Sequence, residues 1–358
     1  MLYSKLLSKL FKIHKQKKIL KRALVANDAL MSPGWYGFNG NIAFRIKSGQ
    51  LDSLRKSKGY KIDPKHNIAI KKLIQMMYLV IPPFLTCVSK KGHGTGTQLL
   101  ITASRSVKIF DCSSQAVQTV FFNESDSQAL LKNKEKLSAI VPVVDVRPNR
   151  LGDGLIEPLL SGVAFCDLAV ASQLRVLNSV IEKYERFAKS NFPSFKSRQF
   201  FRGLFKEILE LPLPPVLENE LLERKNSLIP RLTKCPFYPC HGDLHGKNII
   251  VEMDGITIID LETVCHRPIF YDLVSLLLHE EDGIQGKLVS DQLAIRYQHL
   301  TNKIYELDRN LGQDEMILIY IIFKILRNPS RQFRKMTQNE DLYNIAKPYI
   351  KRMNEPRL

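Results

Sequence analysis

The residues best placed to do chemistry in this chain lie in one stretch, Cys240-His241-Gly242-Asp243-Leu244-His245-Gly246-Lys247-Asn248-Ile249-Ile250, followed by Ile258-Ile259-Asp260-Leu261-Glu262. Asp243 offers a carboxylate in a loop, and Asn248 offers an amide shortly after it. Two short apolar runs then lead to a second carboxylate, Asp260. Between the runs, Asp254-Gly255 is a hairpin signal, because both residues tolerate the backbone of a tight turn. A hairpin of that length sets Asn248 and Asp260 side by side at one end of its strands, with Asp243 in the loop before them. An amide oxygen and a carboxylate converging there suit a hard cation such as Mg²⁺ held against phosphates. A separate carboxylate nearby can accept a proton from an attacking hydroxyl.

That layout is found in kinases, where a loop Asp, a loop Asn and a later Asp serve as base and metal ligands. Here His-Gly-Asp replaces His-Arg-Asp, and Ile-Asp-Leu-Glu replaces Asp-Phe-Gly. The wording resembles the aminoglycoside phosphotransferase and choline kinase group, whose motif reads His-Gly-Asp-Leu-His-x-x-Asn followed by Ile-Asp-x-Glu or Ile-Asp-x-Asp. By that resemblance Asp243 is the catalytic base, Asn248 and Asp260 are Mg²⁺ ligands, and His241 braces the loop. His245 belongs to the same motif, and Glu262 supports a second metal or orders the loop. In Arg267-Pro268-Ile269-Phe270-Tyr271-Asp272-Leu273 the resemblance makes Asp272 a brace for the catalytic loop. Read alone, Asp272 is an acid favourable to a helix N-terminus. The resemblance implies ATP and Mg²⁺ as cofactors and a two-lobed protein-kinase-like α+β fold, with a small β-rich N-lobe and a larger helical C-lobe. The specific likeness runs over residues 92–280 and is densest over 240–273.

Composition sets looser bounds. A chain of 358 residues can fill two lobes. The formal charge of +18 points to an anionic partner, or to the positive potential that ATP itself requires. The six cysteines are scattered, as in reduced thiols rather than a disulfide framework. Cys235, Cys240, His241, His245, Cys265 and His266 crowd the motif, yet no Cys-x-x-Cys pair is present and two of these histidines already belong to the motif. The N-terminus lacks the pattern of a secretory signal, and no run reaches the ~18 apolar residues of a spanning helix. The expectation is a cytoplasmic protein, with residues 1–22 available for peripheral contact on the inner face of a membrane.

In chain order, residues 1–83 read as a basic extension, 84–158 as the N-lobe and 159–358 as the C-lobe. Residues 1–22 pattern as an amphipathic helix: Tyr3, Leu6, Leu7, Leu10 and Phe11 form a stripe among many lysines. Such a helix lies on an anionic membrane, or its stripe packs on the protein; both readings stand. Residues 31–41 read as a glycine- and aromatic-rich loop. Strands are expected around 84–88 and 98–102, with Gly92-His93-Gly94-Thr95-Gly96 between them as a loop whose Gly94 and Gly96 admit phosphates. Lys108 is the candidate phosphate-binding lysine on the next strand. If the strand after it fills that structural role, Gln118 falls near the position instead. The helix over 125–137 leaves its ion-pairing acid open between Glu124 and Glu135. The run Gly154 to Gly162 resembles the hinge of this group, whose linker offers backbone N–H and C=O groups to adenine; Glu157 is the candidate residue there, and hinge side chains often point away from the nucleotide. Helices follow over 170–184, 197–211, 216–233, 292–311, 316–326 and 339–353.

By resemblance, the reaction is transfer of the ATP γ-phosphoryl group to a hydroxyl. The basic charge favours a saccharide or the sugar of a surface glycolipid as acceptor. An aminoglycoside- or choline-type kinase is the alternative; it needs acids for a cationic substrate, and beyond Glu280-Glu281-Asp282 few cluster in the C-terminal third. A further alternative is a catalytically weak kinase-like scaffold bound to an anionic membrane or partner. Nucleic acid is disfavoured, because no recognised binding module accompanies the charge.

Overall fold

The computed structural model describes residues 18–39, 42–45, 86–88, 94–102, 106–121, 124–149, 154–278, 284 and 288–327. The apolar stripe from Tyr3 to Phe11, the acids Glu280 to Asp282 and the helix expected over 339–353 lie outside them. The chain divides into two compact units, one comprising residues 1–131 with 145–160 and the other 132–144 with 161–358. One is rich in strands and the other in helices, the two-lobed α+β arrangement anticipated from the sequence.

The first unit is built on one eight-stranded sheet in the order β3-β1-β2-β4-β5-β6-β8-β7. Its strands are β1 (Gly34–Asn39), β2 (Ile42–Arg45), β3 (Thr86–Val88), β4 (Gln98–Ile101), β5 (Val107–Asp111), β6 (Ala116–Val120), β7 (Arg147–Pro148) and β8 (Gly154–Pro158). All pairings are antiparallel. Alternation along the strands sends Val107 and Ile109 to one face, where they join Leu99, Ala43, Tyr36 and Met31. Helix α1 (residues 18–26) closes that face with Leu20 and Leu24, both essentially inaccessible. The described end of the basic segment therefore packs on the protein. The region expected to be an extension supplies two strands of the sheet, and the loop expected over 31–41 is largely strand β1.

In the second unit, α3 (Val170–Ser190) buries Leu174, Leu177, Val180, Ile181 and Tyr184, the spacing of a core-facing stripe. Helix α4 (Arg198–Leu209) is capped by Ser197, whose hydroxyl accepts from the Phe200 N–H at 3.1 Å. Helix α5 (Pro215–Leu232) opens with proline at its first position, where no N–H is missed. Two strand groups follow. Strand β10 (Phe237–Cys240) pairs with β13 (Cys265–Pro268), and β11 (Ile249–Glu252) pairs with both β12 (Gly255–Ile258) and β9 (Val163–Ala164). Helices α6 (Tyr271–Leu278), α7 (Asp291–Glu306) and α8 (Gln313–Arg327) complete the described unit. Helix α2 (Glu124–Ser138) begins in the first unit and ends in the second. Among the described residues no helix is long and apolar enough to cross a membrane.

Candidate active site

Strands β10 and β13 hold the two ends of the chemical stretch together, with Cys240 opposite Cys265. From Cys240 the chain turns through His241, Gly242 and Asp243. Gly242 has φ 80°, a left-handed backbone that a side chain there would strain. A 3₁₀ turn, Gly246–Asn248, then feeds β11, with the His245 Nδ1 accepting from the Lys247 N–H. The β11–β12 hairpin turns at Asp254-Gly255 and pairs Ile249 with Ile258. Past that pair, the Ile259 N–H donates to the Asn248 carbonyl at 3.0 Å. Asn248 and the segment entering Asp260 thus meet at one end of the hairpin, the geometry its length predicts.

Three groups lock the loop from behind. Asp272, fully buried at the start of α6, accepts the His241 N–H at 2.6 Å and the Gly242 N–H at 2.8 Å. The Tyr184 hydroxyl of α3 donates to the same carboxylate at 2.6 Å. Burial, and then the Asp272 charge, push the Tyr184 phenol well above its ordinary range, so it stays a donor. His241 is also fully buried. Its Nε2 donates to the Ile259 carbonyl at 2.8 Å, which leaves Nδ1 to accept the Asp243 N–H at 3.3 Å. The Thr263 hydroxyl donates to the His241 carbonyl at 2.8 Å, tying the loop to the turn after Asp260.

The Asn248 amide N–H₂ donates to the Asp243 carbonyl at 3.1 Å, which turns the amide oxygen away from that contact. Asp260 sits in left-handed backbone, φ 64° and ψ 59°, directly before the 3₁₀ turn Leu261–Thr263 that carries Glu262. A non-glycine residue there costs about 1 kcal/mol or more, and such strain concentrates at working sites. The Asn133 side chain of α2 donates to the Leu261 carbonyl at 3.0 Å, so the helix reaches this turn through an amide. Glu135 is exposed, and Glu124 opens the helix.

For Mg²⁺ the donors available are hard oxygens, the Asp260 carboxylate and the Asn248 amide oxygen. Mg²⁺ keeps several waters and takes few protein ligands, so this sparse set fits it. Among the described residues no three His, Cys, Asp or Glu side chains gather as a denser metal site would require. The Cys240 thiol is pushed well up by burial, with Asp272 and Cys265 adding to the effect, and the Cys235 thiol is raised by burial and Asp308.

In the strand-rich unit, Lys108 and Glu157 share one face of the sheet and pair at 3.2 Å across β6. Gln118 lies opposite Ile109, on the other face. An acid from β8 thus stands beside Lys108. Gly94 and Gly96 are placed otherwise than a phosphate loop requires. They precede β4, whose sheet neighbours are β2 and β5, and not β3. The Gly96 N–H is given to the Leu30 carbonyl at 3.0 Å. A Cβ on Gly94 would lie 2.0 Å from the Leu30 carbonyl carbon, and one on Gly96 would lie 2.4 Å from Ile109 Cγ2. Their missing side chains let residues 30–31 approach.

Lys324 joins the site without having been a candidate. From α8 its Nζ donates to Asp243 Oδ1 at 2.5 Å. A lone lysine late in an apolar helix has no spacing that would mark it.

Residues 170–305 match the model of the phosphotransferase enzyme family. Among solved structures, the choline kinase LicA from Streptococcus pneumoniae is similar at 14% identity and TM-score 0.40, over 79% of this chain and 99% of that one. A choline/ethanolamine kinase family protein from Mesorhizobium loti shares 13% identity at TM-score 0.43, over 74% and 90%. The aminoglycoside phosphotransferase APH(3'')-Id from Streptomyces rimosus shares 17% at TM-score 0.41, over 63% and 91%. No curated protein matches the sequence. The likeness to the phosphotransferase enzyme family extends over residues 170–305, which hold the loop and hairpin of the site.

Proposed function

We propose that the protein transfers the γ-phosphoryl group of ATP to a hydroxyl of a small molecule. One observation carries this reading: the β11–β12 hairpin brings Asn248 beside the segment entering Asp260, next to a loop that Asp272 and His241 hold rigid around Asp243. Asp243 orients the acceptor hydroxyl and takes its proton as the acceptor oxygen bonds to the γ-phosphorus and the bond to the β–γ bridging oxygen breaks, releasing ADP. Asn248 and Asp260 would hold Mg²⁺, which when bound neutralises charge on the phosphates. Asp272 acts at one remove, fixing the backbone from which Asp243 projects. Lys108, held by Glu157, is the candidate to meet the nucleotide phosphates, which supports an active enzyme over a weak scaffold.

The similar structures are named for choline, ethanolamine and aminoglycosides, so these acceptors head the screen, with saccharides and glycolipid sugars beside them. The test begins with calorimetric titration of ATP, with and without Mg²⁺, into wild type and Asp260→Ala. Binding should require Mg²⁺ and weaken at least tenfold in the variant. ADP release with each acceptor follows, with Asp243→Ala expected to lower kcat about 10²–10⁴-fold at unchanged ATP affinity. A folded wild type that binds no ATP would sink the proposal.

A further inference from the structure

Helix α8 is apolar and buried from Met316 through Phe323, and Lys324 is the first charged side chain after Glu315. A lysine at the end of such a run is not a solvated surface residue by default. Its ammonium is directed to Asp243, the carboxylate assigned to the acceptor hydroxyl, at 2.5 Å. The Lys324 side chain is 25% exposed and that of Asp243 36%, so a small molecule can reach both. A second cation is anchored on the same helix: the Arg267 guanidinium of β13 lies 4.5 Å over the ring of Phe323. Its Nε is buried without a hydrogen-bond partner.

A cation fixed on the base has two consequences for whatever binds there. A cationic acceptor is repelled at the point where its hydroxyl must arrive, and this repulsion selects against it. An acceptor carrying an anion beside its hydroxyl gains a charge-assisted hydrogen bond and draws the ammonium off Asp243. We infer that Lys324 is a specificity-determining residue, and that the acceptor carries a phosphate or carboxylate which takes the Lys324 ammonium as the hydroxyl meets Asp243. This rests on the phosphotransferase reading of Asp243. Anchoring and release of the base then occur in the same event, so the acceptor lacking the anion finds Asp243 still occupied.

The test uses the full chain with Mg²⁺ and ATP, and matched acceptors that differ in charge. Glycerol is set against glycerol 3-phosphate, glucose against glucose 6-phosphate, and choline stands as the cationic member. Vesicles of phosphatidylglycerol present the same phosphate and hydroxyls on a membrane, so they separate a lipid headgroup from a free metabolite. Steady-state ADP release gives kcat and KM for wild type, Lys324→Gln and Lys324→Arg, and calorimetry gives the ATP affinity of each. We expect the wild type to prefer a phosphorylated member at least tenfold in kcat/KM, chiefly through KM. Lys324→Gln should lose that preference, Lys324→Arg should keep most of it, and ATP affinity should stay within about twofold in all three. Equal use of charged and neutral members, use of neither, a preference for choline, or a preference that survives Lys324→Gln overturns the assignment. If wild type fails to bind Mg²⁺ and ATP, the phosphotransferase reading fails; if binding is intact and the charge preference is absent, only Lys324 is misassigned.

Discussion

Asp272 takes two backbone N–H groups and a phenol on one buried carboxylate, and none of these donors can turn to water. Removing the carboxylate orphans all three, at about 1–3 kcal/mol each before relaxation. Asp272→Ala should therefore lose about 3 kcal/mol or more of stability, read as a lower urea midpoint at unchanged slope. Tyr184→Phe removes one donor and leaves the backbone pair in place, so it should cost about 1 kcal/mol. Equal losses in the two variants would mean that the loop is held elsewhere. At this scale much of the candidate site was legible. Asp243, Asn248 and Asp260 lie on one continuous loop and hairpin, where sequence spacing becomes spatial spacing through two strands and a tight turn. His241 and Asp272 bond the backbone of that same segment. Lys324 reaches Asp243 from 81 residues away, and no local pattern encodes such a contact.

Among the elements, the described helices were found by their period of three to four apolar residues, a local signal, but not always to their ends: the stripe over 170–184 continues to Ser190, and the helix expected over 292–311 stops at Glu306. Strand partners were not, because pairing is chosen by distant residues. The glycine run from Gly92 to Gly96 looked like a turn between neighbouring strands, yet β4 pairs with β2 and β5. Gly96 serves close packing: an added Cβ would meet Ile109 Cγ2 at 2.4 Å and the Leu30 carbonyl oxygen at 2.9 Å. Forcing a methyl into such a contact costs about 1–3 kcal/mol. Gly96→Ala should lower the thermal midpoint while ATP affinity, titrated well below that midpoint, stays within about twofold. Weakened ATP binding with an unchanged midpoint would return the glycine to phosphate binding. The same logic of distant pairing hid strand β1, which glycine and aromatic content disguised as a loop, and strand β2, for which the sequence offered no element.

At the scale of the whole chain, the charge of +18 drew attention to the N-terminus as a surface-binding segment. The structure gives part of that segment another task. Leu20 and Leu24 of α1 are buried in the core that covers one face of the eight-stranded sheet. Composition could not separate the two uses, because a stripe of leucines among lysines suits a membrane and a protein face equally. Stability can. Leu24→Ala opens a cavity that should cost about 2–5 kcal/mol. The chain has one tryptophan, Trp35, and it lies on β1 of the unit that α1 closes. Its fluorescence therefore follows this unit, while far-ultraviolet circular dichroism is weighted to the helices of the other. Leu24→Ala should lower the fluorescence midpoint by several degrees, at about 2–4 °C per kcal/mol for a unit of this size. The dichroism midpoint should move less, because the cavity lies in the strand-rich unit. A fluorescence midpoint that does not move would free α1 from the core and restore the membrane reading to residues 18–22.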